Sequence, residues 1–211
     1  MNTRVKICGI KDKEDASLCV EAGASALGFI FYPKSPRYIL PREAEKIVRG
    51  LPCFVSKVGV FVNENEDSVF RIANSVGLDT LQFHGAESAS YCARFRKNFK
   101  VIKSFFPKDA DIVSRILKFR LDGVLLDIPF EEKSAKPQAT LDFRIIKKIA
   151  GQLNFLILSG GLSVVNVRSL VKKLRPYAVD VARGVERFPG KKDGDLVRKF
   201  IAQVKEAQGH G

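Results

Sequence analysis

The sequence predicts one (βα)8-barrel domain spanning residues 1–211, and three observations lead there. Eight short apolar runs alternate with amphipathic helical patterns, and most are near-continuous, as parallel strands buried on both faces should be. Polar or reactive residues recur where those runs end. Glycine-rich loops follow the seventh and eighth runs, where many barrels of this kind hold an anion at backbone N–H groups. Spread over 211 residues, eight units average about 26 residues each, so the connections must be short. An open six-stranded α/β sheet is the alternative architecture.

The strands are expected over 4–8, 26–31, 57–62, 80–83, 101–105, 123–127, 155–158 and 178–181. Helical faces lie between them. Val69, Ile72, Ala73 and Val76 repeat at the helical interval, as do Val197, Phe200, Ile201 and Val204, and Val164, Val167, Val171 and Leu174 mark a third face. Pro41 suits a first helical position, Gly23 and Gly77 suit C-terminal stops, and Ser163 suits an N-cap. Residues 206–211 read as a loose tail, in which His210 has no expected role.

In such a barrel the chemistry belongs to the C-terminal strand ends. Strand one ends at Cys8-Gly9, which puts the thiol at the mouth, although position alone favours a small buried core residue. Cys19 and Cys92 fall inside helices and Cys53 precedes strand three, so these read as structural. After strand two, Pro33 and Pro36 stiffen a loop carrying Arg37, whose fork suits a carboxylate; a solvated loop arginine is the alternative. Strand four ends at Gln82-Phe83-His84-Gly85, and His84 reads either as a binding group or as a satisfied structural histidine. Strand six ends at Asp127. A carboxylate directly after a buried apolar run is costly without a partner or a task, so Asp127 is the foremost catalytic candidate; a turn or cap role competes. Ser159-Gly160-Gly161-Leu162-Ser163 follows strand seven, and Asp180 through Glu186 runs off strand eight.

Composition narrows the partners. Apolar residues make up 45% and charged residues 28%, ordinary for a soluble globular chain. No apolar run approaches the ~20 residues of a membrane helix, and no signal peptide is expected. The net charge of +13 suits an anion: nucleic acid, membrane surface or phosphorylated metabolite. The basic residues are spread along the chain with no nucleic-acid arm, so a small phosphorylated substrate is expected, without nucleic acid or membrane, in a monomer or homodimer. Four cysteines without a C-x-x-C pair offer no zinc spacing and suit a reducing cytoplasm.

Six stretches carry a resemblance that runs almost end to end. They are Lys6-Ile7-Cys8-Gly9-Ile10, Gly28 through Tyr38, Gly59-Val60-Phe61-Val62-Asn63, Gln82-Phe83-His84-Gly85, Leu158-Ser159-Gly160-Gly161-Leu162, and Gly184-Val185-Glu186 through Pro189-Gly190-Lys191-Lys192-Asp193. Together they resemble the phosphoribosylanthranilate isomerases of tryptophan biosynthesis. The resemblance implies an Amadori rearrangement that needs no cofactor or metal. It implies Cys8 as general base, Asp127 as general acid and Arg37 as the contact to the anthranilate carboxylate. Gln82, His84 and Asp180 are expected to bind substrate, and Gly160, Gly161, Arg183 and Gly184 its phosphate. A thiol near pKa ~8.5 needs that value lowered to act well near neutrality, and nearby cationic groups would help.

Two stretches depart from the family pattern. Loop six, residues 128–140, lacks the family's glycines and carries Pro137, with Lys133 and Lys136 as substitute anion contacts. Ala182-Arg183-Gly184 places an arginine where a serine is common. A barrel acting on another phosphorylated sugar amine, or a non-catalytic phosphate-binding barrel, are the alternatives.

Overall fold

A computed structural model describes residues 2–106, 112–127, 146, 149, 153 and 155–209. Eight parallel strands close into a barrel in sequence order. They are β1 (Arg4–Cys8), β2 (Ala26–Ile30), β3 (Ser56–Phe61), β4 (Thr80–Phe83), β5 (Lys100–Phe105), β6 (Gly123–Leu126), β7 (Leu156–Leu158) and β8 (Ala178–Val181). Closure comes from β1 pairing with β8, with Arg4 opposite Ala178 and Ile7 opposite Val181. The open-sheet alternative is thereby excluded, and the expected strand bounds hold to within a residue or two.

Among the described residues the surrounding helices are α1 (Lys13–Ala22), α2 (Pro41–Val48), α3 (Glu66–Val76), α4 (Ala89–Phe95), α5 (Ile112–Leu117), α6 (Val167–Leu174) and α7 (Gly194–Ala207). Their ends follow local chemistry. Gly23 and Gly77 end α1 and α3 in the left-handed conformation, at φ 103° and 77°, where a side chain would be strained. Pro41 opens α2, where its missing N–H costs nothing. Two expectations are corrected. Ser163 does not cap α6: a turn over 164–166 intervenes and Asn166 is the N-cap, so Val164 lies outside the helix. The tail does not loosen at 206, because α7 continues to Ala207 and the Gln208 amide donates to the carbonyls of Thr3 and Val204. His210 and loop six, with Lys133, Lys136 and Pro137, lie outside the described residues.

The strand period of two sorts the side chains. One set, including Ile7, Leu27, Phe29, Leu81, Phe83, Val101, Leu126 and Val179, packs outward against the helices. The other points into the barrel, where Val58, Ile102, Leu125, Ile157 and Ala178 form a separate apolar cluster. Two residues further along the same strands, on the same face, come Ser104, Asp127, Ser159 and Asp180, all buried. The barrel is therefore apolar at one depth and polar one layer nearer the C-terminal mouth.

Packing of the outer layer should outweigh capping in stability. Phe200 on α7 is fully buried beside Val197, Ile201 and Val204, so Phe200→Ala should cost ~3–5 kcal/mol. Asn65, whose side chain accepts the Ser68 N–H at α3, should cost ~1 kcal/mol as alanine. Urea unfolding midpoints at constant slope check the ranking; equal losses would contradict it.

Candidate active site

The polar layer at the mouth begins on β1. Lys6 and Cys8 share the inward face, and the Lys6 ammonium donates to Asp180 Oδ1 at 2.7 Å. Ser159 donates to the other Asp180 oxygen at 3.4 Å. Asp180 thus lies at the mouth as the partner of a buried lysine. Gly28 on β2 leaves room for the Cys8 thiol: a Cβ there would lie 2.7 Å from the sulfur.

Burial pushes the Cys8 thiol above its ordinary value. Lys6 and Lys192 pull the other way, and Asp180 adds to the rise. Cations thus help in the expected direction without bringing the thiol below its usual range. The cations are present, but removing the sulfur from water outweighs them, and in the free protein Cys8 rests as a thiol. Lys6 moves up as well: burial lowers it, and the attraction of Asp180 and Cys8 overcomes that.

On the opposite wall, His84 sits just past β4. Its Nδ1 lies 2.7 Å from Ser104 Oγ and 3.1 Å from Gln82 Nε2. Its Nε2 lies 3.4 Å from Asp127 Oδ2. Asp127 is only 3% exposed and follows directly on β6, its N–H bonded to the Phe105 carbonyl. Gln82 Oε1 is buried and has no hydrogen-bond partner among the described residues. An unsatisfied buried amide oxygen is costly, so this wall holds acceptor capacity for a ligand or a water.

Arg37 reaches the mouth over Gly9. A Cβ at Gly9, whose φ is 80°, would meet Arg37 Cδ at 2.6 Å. The guanidinium is not a loose loop group. Its Nε lies 2.8 Å from Glu186 Oε1, and its Nη2 donates to Oε2 at 2.6 Å. Glu186 begins β9 (Glu186–Phe188), which pairs antiparallel with β10 (Lys191–Lys192). Lys192 Nζ donates to Glu186 Oε1 at 2.8 Å and to the Cys8 carbonyl at 2.6 Å. Burial raises the Glu186 carboxyl, but the bonds from Arg37 and Lys192 hold it below the usual range.

The two glycine loops meet at the remaining sector. Gly160 and Gly161 both take positive φ, 81° and 71°, which L side chains rarely adopt. Asn166 clasps this turn, accepting from Ser163 N and donating to Gly161 O, both at 2.9 Å. Gly184 lies in a short 3₁₀ turn, Arg183–Val185, and a Cβ on it would run into the Leu162 carbonyl. The loops after β7 and β8 are thus in contact, and Arg183 stands at their junction.

The structure gathers the expected residues at one end of the barrel and adds four that sequence reasoning passed over as individuals. Lys6 and Ser104 sit inside apolar runs, and the argument that singled out Asp127, a polar group in a buried strand, applies to them equally. Glu186 and Lys192 lie within a quoted motif, but nothing local assigns them partners 149 and 184 residues away.

Comparison with known proteins agrees with this geometry. The family model described as N-(5'-phosphoribosyl)anthranilate (PRA) isomerase matches residues 5–203. An N-(5'-phosphoribosyl)anthranilate isomerase of Thermotoga petrophila is 45% identical over 202 residues, covering 96% of this chain and 98% of the relative. A phosphoribosylanthranilate isomerase crystallised with reduced 1-(o-carboxyphenylamino)-1-deoxyribulose 5-phosphate superposes with a TM-score of 0.87 at 43% identity, covering 97% and 99% of the two chains. Monomers generated from the dimeric enzyme of Thermotoga maritima give 0.87 at 42% identity over the same shares. Matched in sequence and in backbone over nearly its whole length, the chain belongs to the N-(5'-phosphoribosyl)anthranilate isomerase family.

Proposed function

We infer that the chain isomerises N-(5'-phosphoribosyl)anthranilate to 1-(2-carboxyphenylamino)-1-deoxyribulose 5-phosphate. One observation carries the reading from the chain itself: a buried thiol, a buried carboxyl and an arginine meet at one mouth with two touching glycine loops. The relative crystallised with the reduced product analogue supports the substrate assignment. No helix among the described residues is long and apolar enough to cross a membrane.

In this reading Asp127 protonates the furanose ring oxygen. The bond from C1 to that oxygen breaks as the nitrogen lone pair forms an iminium. Cys8, as thiolate, then removes the C2 proton, and the released pair neutralises the iminium to give an enolamine. Loss of the C2 hydroxyl proton and gain of one at C1 complete the ketone. Electrons move only within the substrate, so the reaction is an internal redox step. Arg37 binds the anthranilate carboxylate through guanidinium hydrogens outside its Glu186 pair. Gln82, His84 and Asp180 line the sugar, and Gly160, Gly161, Arg183 and Gly184 take the phosphate, with main-chain N–H groups supplying the positive field.

Cys8→Ser and Asp127→Asn should each lower kcat by about 10²–10⁴-fold, the usual worth of a general base or acid. Loss of anthranilate fluorescence follows the turnover. Because burial raises the Cys8 thiol, the active thiolate accumulates as pH rises, so the Cys8-dependent limb climbs toward alkaline pH. Wild-type turnover in either variant would remove that residue's role.

Arg37→Ala should weaken an anthranilate-bearing ligand by the loss of one charge-assisted contact, about 1.5–3 kcal/mol, and leave inorganic phosphate binding nearly unchanged. Competitive inhibition by product analogue and by phosphate separates the two. Equal weakening would assign Arg37 to general electrostatics or loop folding.

A homodimer is the assembly we infer, on the ground of the dimeric Thermotoga maritima relative. Phe54, at 96%, is the most exposed large apolar side chain among the described residues. Sedimentation velocity at micromolar concentration should give twice the 23.5 kDa chain mass; a monomer at every concentration would exclude the dimer.

A further inference from the structure

The motif from Glu186 to Lys192 has no role in the chemistry above, yet it holds the most deeply buried ion group at the mouth. The side chains of Lys192 and Glu186 are 0% and 2% exposed. Glu186 receives two cations, Arg37 and Lys192, and also the Gly190 N–H at 3.3 Å. Lys192 in turn bonds the carbonyl of Cys8 itself. From behind, the Lys192 N–H is held by Asp15 at 2.8 Å, and Lys191 Nζ lies 3.0 Å from both Asp12 and Asp15 on the α1 side.

Burying such a group is a poor way to gain stability, because desolvating the charges offsets most of their attraction. Its stoichiometry says more. Lys6 and Asp180 cancel one for one; among the described residues Arg37 and Lys192 share the Glu186 carboxylate on the Cys8 side, while Asp12 and Asp15 share Lys191 behind them, so the surplus cation nearest Cys8 is set against a surplus carboxylate one layer back.

We propose that Lys192 is a positioning residue for Cys8 and, through Glu186, for Arg37, so that the base and the grip on the substrate carboxylate are set as one unit. The proposal rests on the roles of Cys8 and Arg37 inferred above. The mechanism is mechanical and electrostatic together. The 2.6 Å bond to the Cys8 carbonyl pins the end of β1, and the Glu186 fork fixes the plane of the guanidinium. The charged groups facing the thiol are Lys6 from its own strand, Asp180 from β8 and Lys192 from β10, with Arg37 packed on the neighbouring Gly9. Of these, Lys192 is the cation brought to the thiol from outside the barrel strands.

The test uses Lys192→Met, Lys192→Arg and Glu186→Gln in a Cys53→Ser background, since Cys53 is exposed and would itself be alkylated. Two readouts are followed: the pH dependence of iodoacetamide labelling at Cys8, located by mass spectrometry, and kcat and KM with phosphoribosylanthranilate. Lys192→Met should move the labelling limb up by about one pH unit and lower kcat near neutrality roughly tenfold. Lys192→Arg, which keeps the charge, should return the limb to its original place. Glu186→Gln should move it the other way, to lower pH, and raise KM roughly tenfold by freeing Arg37. A merely structural role lowers the melting temperature and moves neither limb. If folded Lys192→Met and Glu186→Gln keep the wild-type limb and KM, the proposal is overturned. Should Lys192→Met fail to fold, Glu186→Gln decides alone. Wild-type turnover by Cys8→Ser would instead bring down the assignment of the base, which the labelling limb does not depend on.

Discussion

Closing eight parallel strands into a ring removes every free sheet edge and forces alternate side chains into a space without bulk water. Everything at the mouth follows from that constraint. Where the enclosed side chains are Val58, Ile102, Leu125, Ile157 and Ala178, they simply pack. One layer up they are polar, and a polar group withdrawn from water must find a partner. Lys6 finds Asp180, Ser104 and Gln82 find His84, and His84 reaches Asp127. The site is thus a set of polar groups whose geometry is fixed by mutual need.

The same constraint sets the electrostatics, and magnitudes decide the outcome. Two ammonium groups act on Cys8, yet desolvation still carries the thiol upward. At Glu186 the balance tips the other way, because direct hydrogen bonds from Arg37 and Lys192 exceed the burial cost. The number and kind of bonds separate the two cases. A lysine bonded to the buried thiol, with a second one nearby, offsets only part of its desolvation penalty, while a bidentate fork and a lysine together on a carboxylate reverse it.

Much of this was legible in the residues. Strands buried on both faces read as apolar runs, and a lone Asp127 at the end of one stands out because its burial needs a reason. Gly23 and Gly77 announce helix ends through the one backbone conformation that other residues avoid. What stayed hidden depends on tertiary pairing or on degree of burial. The Arg37–Glu186 pair joins residues 149 positions apart, and no local pattern distinguishes an arginine held by its own chain from one waiting for a ligand. The net direction of the Cys8 shift was not legible, because sequence suggests neighbouring cations but not how completely a sulfur is enclosed. Ser163 looked like a cap because its type suits one, but the loop after β7 makes an extra turn before α6 begins, and Asn166 takes the place.

The route of the chain carries a consequence for how the protein is made. Strand β1 has its partner β8 more than 170 residues away, and the Cys8 carbonyl waits for Lys192, 184 residues further on. On a ribosome, β1 leaves the exit tunnel more than 170 residues ahead of β8 and stands with one flank uncovered until β8 follows. Long-range closure of this kind is slow compared with local pairing, and an uncovered strand flank is open to the wrong neighbour. The ring therefore stays incomplete until β8 is made, so a product cut short before β8 lacks the seam, and one cut short before residue 192 lacks the Lys192 bond at the mouth.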